Sequence, residues 1–237
     1  MLFFYIRHGD PIYDPDSLTE LGHRQADALV RRMECCNPVR IFASSSNRAI
    51  QTAEPTAKRL GKEIEILDWC NEGYAGDDFG ITNESGKWEW CFFNEKMKRS
   101  FVSGEVRQLD RHWYDHPDFS GTKFKPGIQR VQRESDAFFA SLGYRHVPEQ
   151  GGYLAERPND DRIALFAHQG FGMAFLSCLL DIPYPQFCTH FDFSHSSITV
   201  ISFSGDGLVI PKVLQLSNDS HIFAAGIETV YNHKIHF

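Results

Sequence analysis

The 237-residue sequence lacks three features that would each indicate a class of protein. Its six cysteines form no Cys-x-x-Cys pair, so neither a zinc site nor a disulfide framework is predicted. It has no basic excess, because the formal net charge is −7, which argues against a nucleic-acid partner. It has no apolar run long enough to span a membrane, and its apolar start is too short for a signal peptide. We therefore expect reduced thiols, no membrane partner and a cytoplasmic location.

Strand and helix patterns alternate at both ends of the chain. Short apolar runs predict buried strands at residues 2–6, 39–43 and 163–167, and apolar residues at helical spacing predict a helix after each strand. Thr19 is predicted to cap the first helix and Gly61 to end the second. This alternation is typical of an α/β fold with a mostly parallel sheet covered by helices on both faces.

Two polar segments and two further strands complete this pattern. Residues 10–16 and 143–161 are rich in polar residues, Pro or Gly, which predicts loops. Residues 197–203 and 208–216 predict two strands, which a turn around Gly205 would join as a hairpin.

Residues 74–125 interrupt the alternation. They contain 11 aromatic residues, about 21% of the segment against 14% of the whole chain. We interpret them as an insertion into a single domain of residues 1–237, with an apolar cluster of its own and a position suited to capping a site. His112 and His116 have the spacing of metal ligands on a helix, but Pro117 and the lack of a Glu after His112 favour a loop. No metal site is predicted.

Polar side chains follow three predicted strands at the point where each strand ends. Arg7 and His8 follow the first strand, the loop from Ser44 to Arg48 follows the second, and His168 follows the strand at 163–167. Ligands bind outside the carboxyl ends of such strands, so we expect one shared site. A neutral imidazole can attack phosphorus, and arginines are forked donors for phosphate oxygens. The set predicts phosphoryl transfer with a histidine nucleophile.

Four ordered motifs carry a resemblance to a known family. They are "RHGD", "LTELGHRQA", "SSSNRAIQTAE" and "FAHQG", and with them the chain resembles the histidine phosphatase superfamily, in its phosphoglycerate-mutase-like branch. The resemblance covers about residues 1–72 and 160–203, and it implies a three-layer α/β/α sandwich. It also implies roles for four residues: the phosphoryl acceptor His8, the phosphate-binding Arg7 and Arg48, and His168, which is expected to be both catalytic and phosphate-binding.

The family also uses an acid that protonates the leaving oxygen, usually a Glu after the third strand. Here that strand is predicted at residues 63–67, and "LDWCNEG" offers Glu72. Three other carboxylates remain alternatives: Asp77, Asp78 and Glu84. His195, in "FSHSSIT", borders the predicted site. It could contact the phosphate or hydrogen-bond a loop, and we favour the second interpretation.

These observations predict a phosphatase that hydrolyses a small phosphorylated metabolite through a phosphohistidine. No metal or other cofactor is expected, because the site gathers Arg and His where a metal phosphatase would gather carboxylates. A mutase of the phosphoglycerate type and a non-catalytic phospholigand-binding module are the alternatives. The insertion has nine acidic and eight basic residues, which does not suggest a clamp for a second acidic group and so favours hydrolysis. The substrate and the oligomeric state, including a homo-oligomer, stay open.

Overall fold

The computed structural model describes residues 1–232. The strands are β1 Leu2–Arg7, β2 Pro11–Tyr13, β3 Asp16–Leu18, β4 Arg40–Ser44, β5 Ile64–Leu67, β6 Gly80–Thr82, β7 Trp88–Trp90, β8 Tyr144–Val147, β9 Gly152–Ala155, β10 Arg162–Ala167, β11 Ile198–Ser202, β12 Gly207–Val209 and β13 Lys212–Asn218. The α-helices are α1 Glu20–Cys36, α2 Asn47–Leu60, α3 Glu72–Phe79, α4 Glu95–Phe101, α5 Gly104–Leu109, α6 Phe124–Ser141, α7 Gln169–Leu179, α8 Tyr184–His190 and α9 Ser220–Ala224.

The central sheet has six strands in the order β13-β11-β1-β10-β4-β5. Strands β1, β10, β4 and β5 are parallel to their neighbours in this series, whereas β11 pairs antiparallel with both β1 and β13. The predicted α/β fold with a mostly parallel sheet is therefore confirmed. The carboxyl ends of the four parallel strands meet at one edge of the sheet, which is where a ligand site is expected.

Both faces of the sheet are covered by helices, as the alternation in β1 requires. Phe4 and Ile6 point to one face, where they join the buried residues Leu29 and Met33 of α1 and Ala53 of α2. The side chains between them point to the other face, where α6 and α7 pack. The result is a three-layer α/β/α sandwich.

The predicted start of α1 at Thr19 and the predicted end of α2 at Gly61 are both present in the structure. The Thr19 hydroxyl accepts the amide of Gly22 at 3.0 Å and caps α1. Helix α2 ends at Gly61, whose φ of 62° lies in the left-handed region. Its amide reaches back to the carbonyl oxygens of Ala57 and Lys58, as expected for a glycine that terminates a helix.

The prediction that residues 74–125 form an apolar cluster of their own is wrong. Phe101, Trp113 and Phe124 belong to the same buried cluster as the central sheet residue Phe3. Tyr184 connects them to the main domain, because its ring stacks on Trp113 with centroids 5.5 Å apart. Tyr184 lies on α8, a helix whose sequence shows no clear apolar period.

The predicted loops contain short strands. Residues 10–16 include β2 and part of the hairpin it forms with β3, and residues 143–161 contain the hairpin of β8 and β9. The two strands predicted at the end of the chain are present as β11 and β13, but β12 between them pairs with β9 in a second sheet. Strands of three or four residues are too short to show an alternating pattern, so only their partners reveal them.

Two negative observations concern possible sites in residues 1–232. No helix there is both long and apolar enough to cross a membrane. No group of three or more His, Cys, Asp or Glu side chains there is arranged to hold a metal ion.

A buried histidine with two acidic partners stabilises the end of the second sheet. His146 of β8 has Nδ1 2.9 Å from Asp136 Oδ1 and Nε2 3.1 Å from Asp181 Oδ2. Gln132 Nε2 also lies 3.2 Å from Nδ1, but two carboxylates within 3.1 Å of one ring favour its charged form. Burial alone would lower the pKa of His146, but the hydrogen bonds to Asp136 and Asp181 outweigh it and raise this pKa to about 9.

We expect His146→Gln to lower the free energy of unfolding at pH 6 by about 2–3 kcal/mol, because one side of a largely buried ion pair is lost. The folded-state pKa lies above the unfolded value of about 6.5. The stabilisation is therefore full below about pH 6.5 and is lost as the pH rises through about 9. Urea unfolding of both proteins at pH 6 and above pH 9 should show the difference shrinking, whereas the exposed-site control His112→Gln should show none. If the difference in free energy of unfolding between the parental protein and His146→Gln did not change with pH, His146 would not be charged in the folded protein.

Candidate active site

The structure brings the predicted site residues to the carboxyl edge of the parallel strands. Arg7 ends β1 and His8 follows it, Arg48 lies in the first turn of α2 after β4, and His168 directly precedes α7 after β10. The imidazole centroids of His8 and His168 are 5.2 Å apart. His8, Arg48 and Glu72 line a common cavity of about 710 Å³. Segments far apart in the sequence thus form one site.

His8 is buried and presents one free ring nitrogen. Its Nδ1 lies 2.7 Å from the Gly9 carbonyl oxygen, and because a carbonyl only accepts, Nδ1 carries the proton. Nε2 therefore keeps its lone pair. Burial lowers the pKa of His8 well below its ordinary value, and the neighbouring His168 and the guanidinium of Arg7 lower it further. A neutral imidazole with a free Nε2 is the form that can act as a nucleophile.

The turn after His8 is held by side chains from two other motifs. The Gly9 amide donates to Thr52 Oγ1 at 3.0 Å, and the Thr52 hydroxyl donates to the Arg48 carbonyl at 2.7 Å. A Cβ on Gly9 would come within 2.7 Å of the Gly22 carbonyl oxygen, so this close approach of the turn to α1 requires glycine. The motif residues Thr52 and Gly22 thus support the turn that carries His8.

Arg7 is buried and fixed by the loop that precedes β11. Its Nη1 donates to the carbonyl oxygen of Phe193 and also to Asn232 Oδ1, the latter at 3.1 Å. Nη2 lies 2.7 Å from His195 Nε2, which must accept because a guanidinium only donates. The guanidinium is therefore aligned before any ligand arrives.

His195 lies beside His8, whereas its sequence context favoured a role in hydrogen-bonding a loop. Its ring centroid is 5.6 Å from that of His8, and burial, assisted by Arg7, lowers the pKa of His195 to about 3. The ring is therefore neutral and serves as an acceptor for Arg7. Because β11 runs antiparallel to β1, the start of β11 lies at the same sheet edge as the end of β1. That position was the available signal, but it depends on the strand direction.

Arg48 is buried beside the hairpin of β2 and β3. Its Nη1 donates to Asp16 Oδ1 at 2.7 Å, and its guanidinium carbon lies 5.4 Å from the centroid of the Tyr13 ring. Its buried Nε has no hydrogen-bond partner among residues 1–232. The side chain is therefore held in place while a donor remains available.

His168 is buried and is held by Ser44. The Ser44 hydroxyl accepts the Ser46 amide at 3.3 Å and lies 2.8 Å from His168 Nε2. The other ring nitrogen, Nδ1, is buried without a partner in the described part of the chain. Burial, assisted by Arg48, lowers the pKa of His168 well below its ordinary value, which favours a neutral ring. His168 thus has one ring nitrogen fixed by Ser44 and one without a partner among these residues.

Glu72 begins α3, and its carboxylate meets the start of α7. Oε1 accepts the Gly170 amide at 2.8 Å and Oε2 accepts the Phe171 amide at 3.1 Å. Burial raises the pKa of Glu72 above its ordinary value, and these amides and the guanidinium of Arg48 only partly oppose that rise. Each oxygen keeps one further lone pair, so the group can carry a proton without losing either hydrogen bond.

The three alternative acids lie in different surroundings. Asp77 lines the same cavity as Glu72. Asp78 accepts two hydrogen bonds from Arg130, at 2.8 and 3.0 Å, and is held as an ion-pair partner. Glu84 lies in the turn between β6 and β7 and lines a separate cavity. Asp77 is therefore the alternative that shares the cavity with Glu72.

The segment 74–125 contributes part of the cavity wall. Asp77, Trp88 and Trp90 line the cavity together with Tyr13. The Trp90 ring lies against the start of α7, since a Cβ on Gly170 would come within 2.4 Å of it. Trp90 therefore contacts the same turn whose amides bind the Glu72 carboxylate.

Comparison with known proteins gives one family and several solved structures of the same fold. The model of the histidine phosphatase superfamily (branch 1) matches residues 4–215. A mycobacterial glucosyl-3-phosphoglycerate phosphatase, solved with inorganic phosphate, is 20% identical over 93% of this chain and 98% of that chain, with a TM-score of 0.59. A phosphoserine phosphatase from Entamoeba histolytica, solved with 3-phosphoglyceric acid, is 16% identical over 93% and 98%, with a TM-score of 0.58. Among curated proteins, none matches this chain.

Proposed function

The chain belongs to branch 1 of the histidine phosphatase superfamily, and we propose that it is a metal-independent phosphatase that hydrolyses a small phosphorylated metabolite through a phosphohistidine. The observation that carries this proposal is the state of His8. Its Nδ1 proton is bound by the Gly9 carbonyl oxygen, its Nε2 is free, and both imidazole and arginine donors surround it. A nucleophile flanked by donors for phosphate oxygens is what phosphoryl transfer requires.

In the proposed first step, His8 Nε2 attacks phosphorus and the bond from phosphorus to the ester oxygen breaks. Arg7 and Arg48 bind the phosphoryl oxygens, and His168, in the tautomer that carries its proton on Nδ1, donates to them. Glu72, whose pKa is raised by burial, gives its proton to the leaving oxygen. The products of this step are the free alcohol and phospho-His8.

In the proposed second step, water attacks the phosphohistidine. Glu72, now ionised, takes a proton from the water as the new bond from oxygen to phosphorus forms and the bond from phosphorus to Nε2 breaks. Inorganic phosphate leaves and His8 returns to its neutral form. The same carboxyl group acts first as acid and then as base, so each turnover restores the starting state.

We also propose that residues 1–237 act as a single catalytic domain in which the insertion at 74–125 caps the active site. Its aromatic residues share the buried cluster of the main domain, and Trp88 and Trp90 line the cavity beside Glu72. This position would allow the insertion to shape the space for the alcohol part of the substrate.

A screen of phosphorylated metabolites followed by phosphorus NMR tests the proposed function. We expect at least one ester to release inorganic phosphate, and phosphoglycerates to isomerise no faster than they lose phosphate. Isomer interconversion that is much faster than phosphate release would make the protein a mutase. Binding without any turnover of the screened esters or of nitrophenyl phosphate would leave a phospholigand-binding module.

Chelation is expected to leave the activity unchanged. The candidate site holds arginine and histidine side chains, and no cluster of metal ligands is found among the described residues. Dialysis against EDTA followed by assay with nitrophenyl phosphate should retain the full rate, and vanadate, which mimics five-coordinate phosphorus, should inhibit. A loss of rate that a divalent cation restores would contradict the proposal.

A further inference from the structure

The cavity around the candidate site has an uneven distribution of charge. Among the described residues, Arg48 is the only Lys or Arg whose side chain lines this cavity. Its guanidinium is paired with Asp16. Glu72 and Asp77 add two more carboxyl groups to the wall. Within this cavity the basic group is therefore located where the phosphate would bind, and Lys123 lines only a neighbouring cavity that shares Asp77 and Trp88 with it.

Asp77 is the carboxylate whose charge is not compensated. Asp16 is bound to Arg48, and Glu72 accepts two backbone amides. Asp77 is exposed at the cavity wall, and no hydrogen bond or ion pair involves its carboxylate within residues 1–232. A second negative charge on a ligand in this part of the cavity would therefore be repelled.

The wall around Asp77 is aromatic. Trp90 stacks on Phe92 with ring centroids 5.4 Å apart and planes 18° apart, and it contacts Trp88 edge to face at 5.3 Å. Trp88 keeps 58% of its surface exposed although it lines the cavity. Indole faces bind apolar groups and cations well, whereas they offer a carboxylate no partner for its charge.

We propose that this site accepts phosphate monoesters of uncharged or cationic alcohols and discriminates against alcohols that carry a second anionic group, with Asp77 as the residue that determines the discrimination. The inference rests on the proposed function, because it places the alcohol part of the substrate in the outer cavity. Repulsion by one partly solvated carboxylate corresponds to about a five- to tenfold preference.

Two matched pairs of esters isolate the charge. O-phosphoserine differs from O-phosphoethanolamine by one carboxylate, and 3-phosphoglycerate carries a carboxylate where glycerol 3-phosphate carries a hydroxymethyl group. Calorimetric binding to the His8→Ala protein, which removes the proposed nucleophile, measures affinity without turnover. We expect the member without the carboxylate to bind at least fivefold more tightly in each pair.

Substitution of Asp77 tests the assignment to this residue. Asp77→Asn should reduce the ratio of affinities at least threefold in both pairs, and Asp77→Lys should invert it. Glu84→Gln removes an exposed carboxylate from the turn between β6 and β7, outside this cavity, and should leave the ratio unchanged. Equal binding within the pairs, absence of binding, or a ratio that Asp77→Asn does not alter would each overturn the proposal.

A separate assay distinguishes this outcome from failure of the proposed function. Nitrophenyl phosphate has no second anionic group, and its hydrolysis by the parental protein reports only on the phosphatase chemistry. If it is hydrolysed and the pairs bind equally, only the inference about Asp77 is wrong. If the pairs differ as expected but no ester is turned over, only the proposed catalysis is wrong.

Discussion

Replacement of His8 by alanine should reduce the hydrolysis of nitrophenyl phosphate by about 10⁴-fold or more, because a covalent route cannot proceed without its nucleophile. The fold should remain intact. The ring lines a cavity, and within residues 1–232 its Nδ1 bonds only the carbonyl of the adjacent Gly9, so no distant element there loses a partner through that nitrogen. Rapid quenching of the parental protein with labelled substrate should yield an acid-labile phosphoryl adduct that is stable to base, and the variant should yield none.

The control for this experiment is His112→Ala, which removes an exposed histidine from the insertion. It should retain the parental rate and form the adduct normally. Melting temperatures of all three proteins establish that any loss of rate in His8→Ala is chemical. Near-parental activity of His8→Ala with an intact fold would exclude His8 as the nucleophile.

The sequence predicts those parts of the site that follow from local chemistry. Arg7, His8 and His168 lie just past apolar strands, and parallel strands bring their carboxyl ends to one edge, so the alternation of elements is enough to place these residues together. His195 follows a different rule, because the start of an antiparallel strand shares that edge. The direction of β11 depends on its pairing with β1, which local sequence does not contain.

The hydrogen bonds that hold the site histidines in place can be predicted from the sequence only in part. Thr52 and Ser44 lie inside motifs that resemble the family, yet their roles depend on distances across the fold. Thr52 binds the Gly9 amide from 43 residues away, and Ser44 binds His168 from 124 residues away. Residue type and spacing do not specify such pairs, whereas the packing of the sheet does.

The packing of the insertion at 74–125 is likewise predicted only in part from the sequence. Its aromatic content predicts buried residues, but not which surface buries them. The partner is Tyr184, more than 50 residues beyond the segment, and its ring stacks on Phe79 at 4.6 Å. Because the segment joins the main core rather than forming its own, Trp90 is held against α7, close to the amides that bind Glu72.

Glu72→Gln should slow phosphorylation by esters with poor leaving groups by about 10²-fold or more, since an amide cannot supply the proton that the leaving oxygen needs. Nitrophenyl phosphate, whose leaving group needs little protonation, should lose much less in the same step. The raised pKa of Glu72 adds a pH dependence. In the parental protein, phosphorylation by poor leaving groups should fall as the pH rises through this raised pKa, while the reaction of nitrophenyl phosphate should fall less.

Single-turnover comparison on one variant separates chemistry from structure. Both Glu72 oxygens accept backbone amides, so the side-chain nitrogen that Glu72→Gln introduces would face one donor with another, and we expect a stability loss of about 1–3 kcal/mol. This loss affects both esters equally and cancels in their ratio. Asp77→Asn, at the alternative acid, and Glu84→Gln, outside the cavity, should preserve the parental ratio. Equal losses on both esters in Glu72→Gln would remove Glu72 from the acid role, and a shifted ratio in Asp77→Asn would assign that role to Asp77.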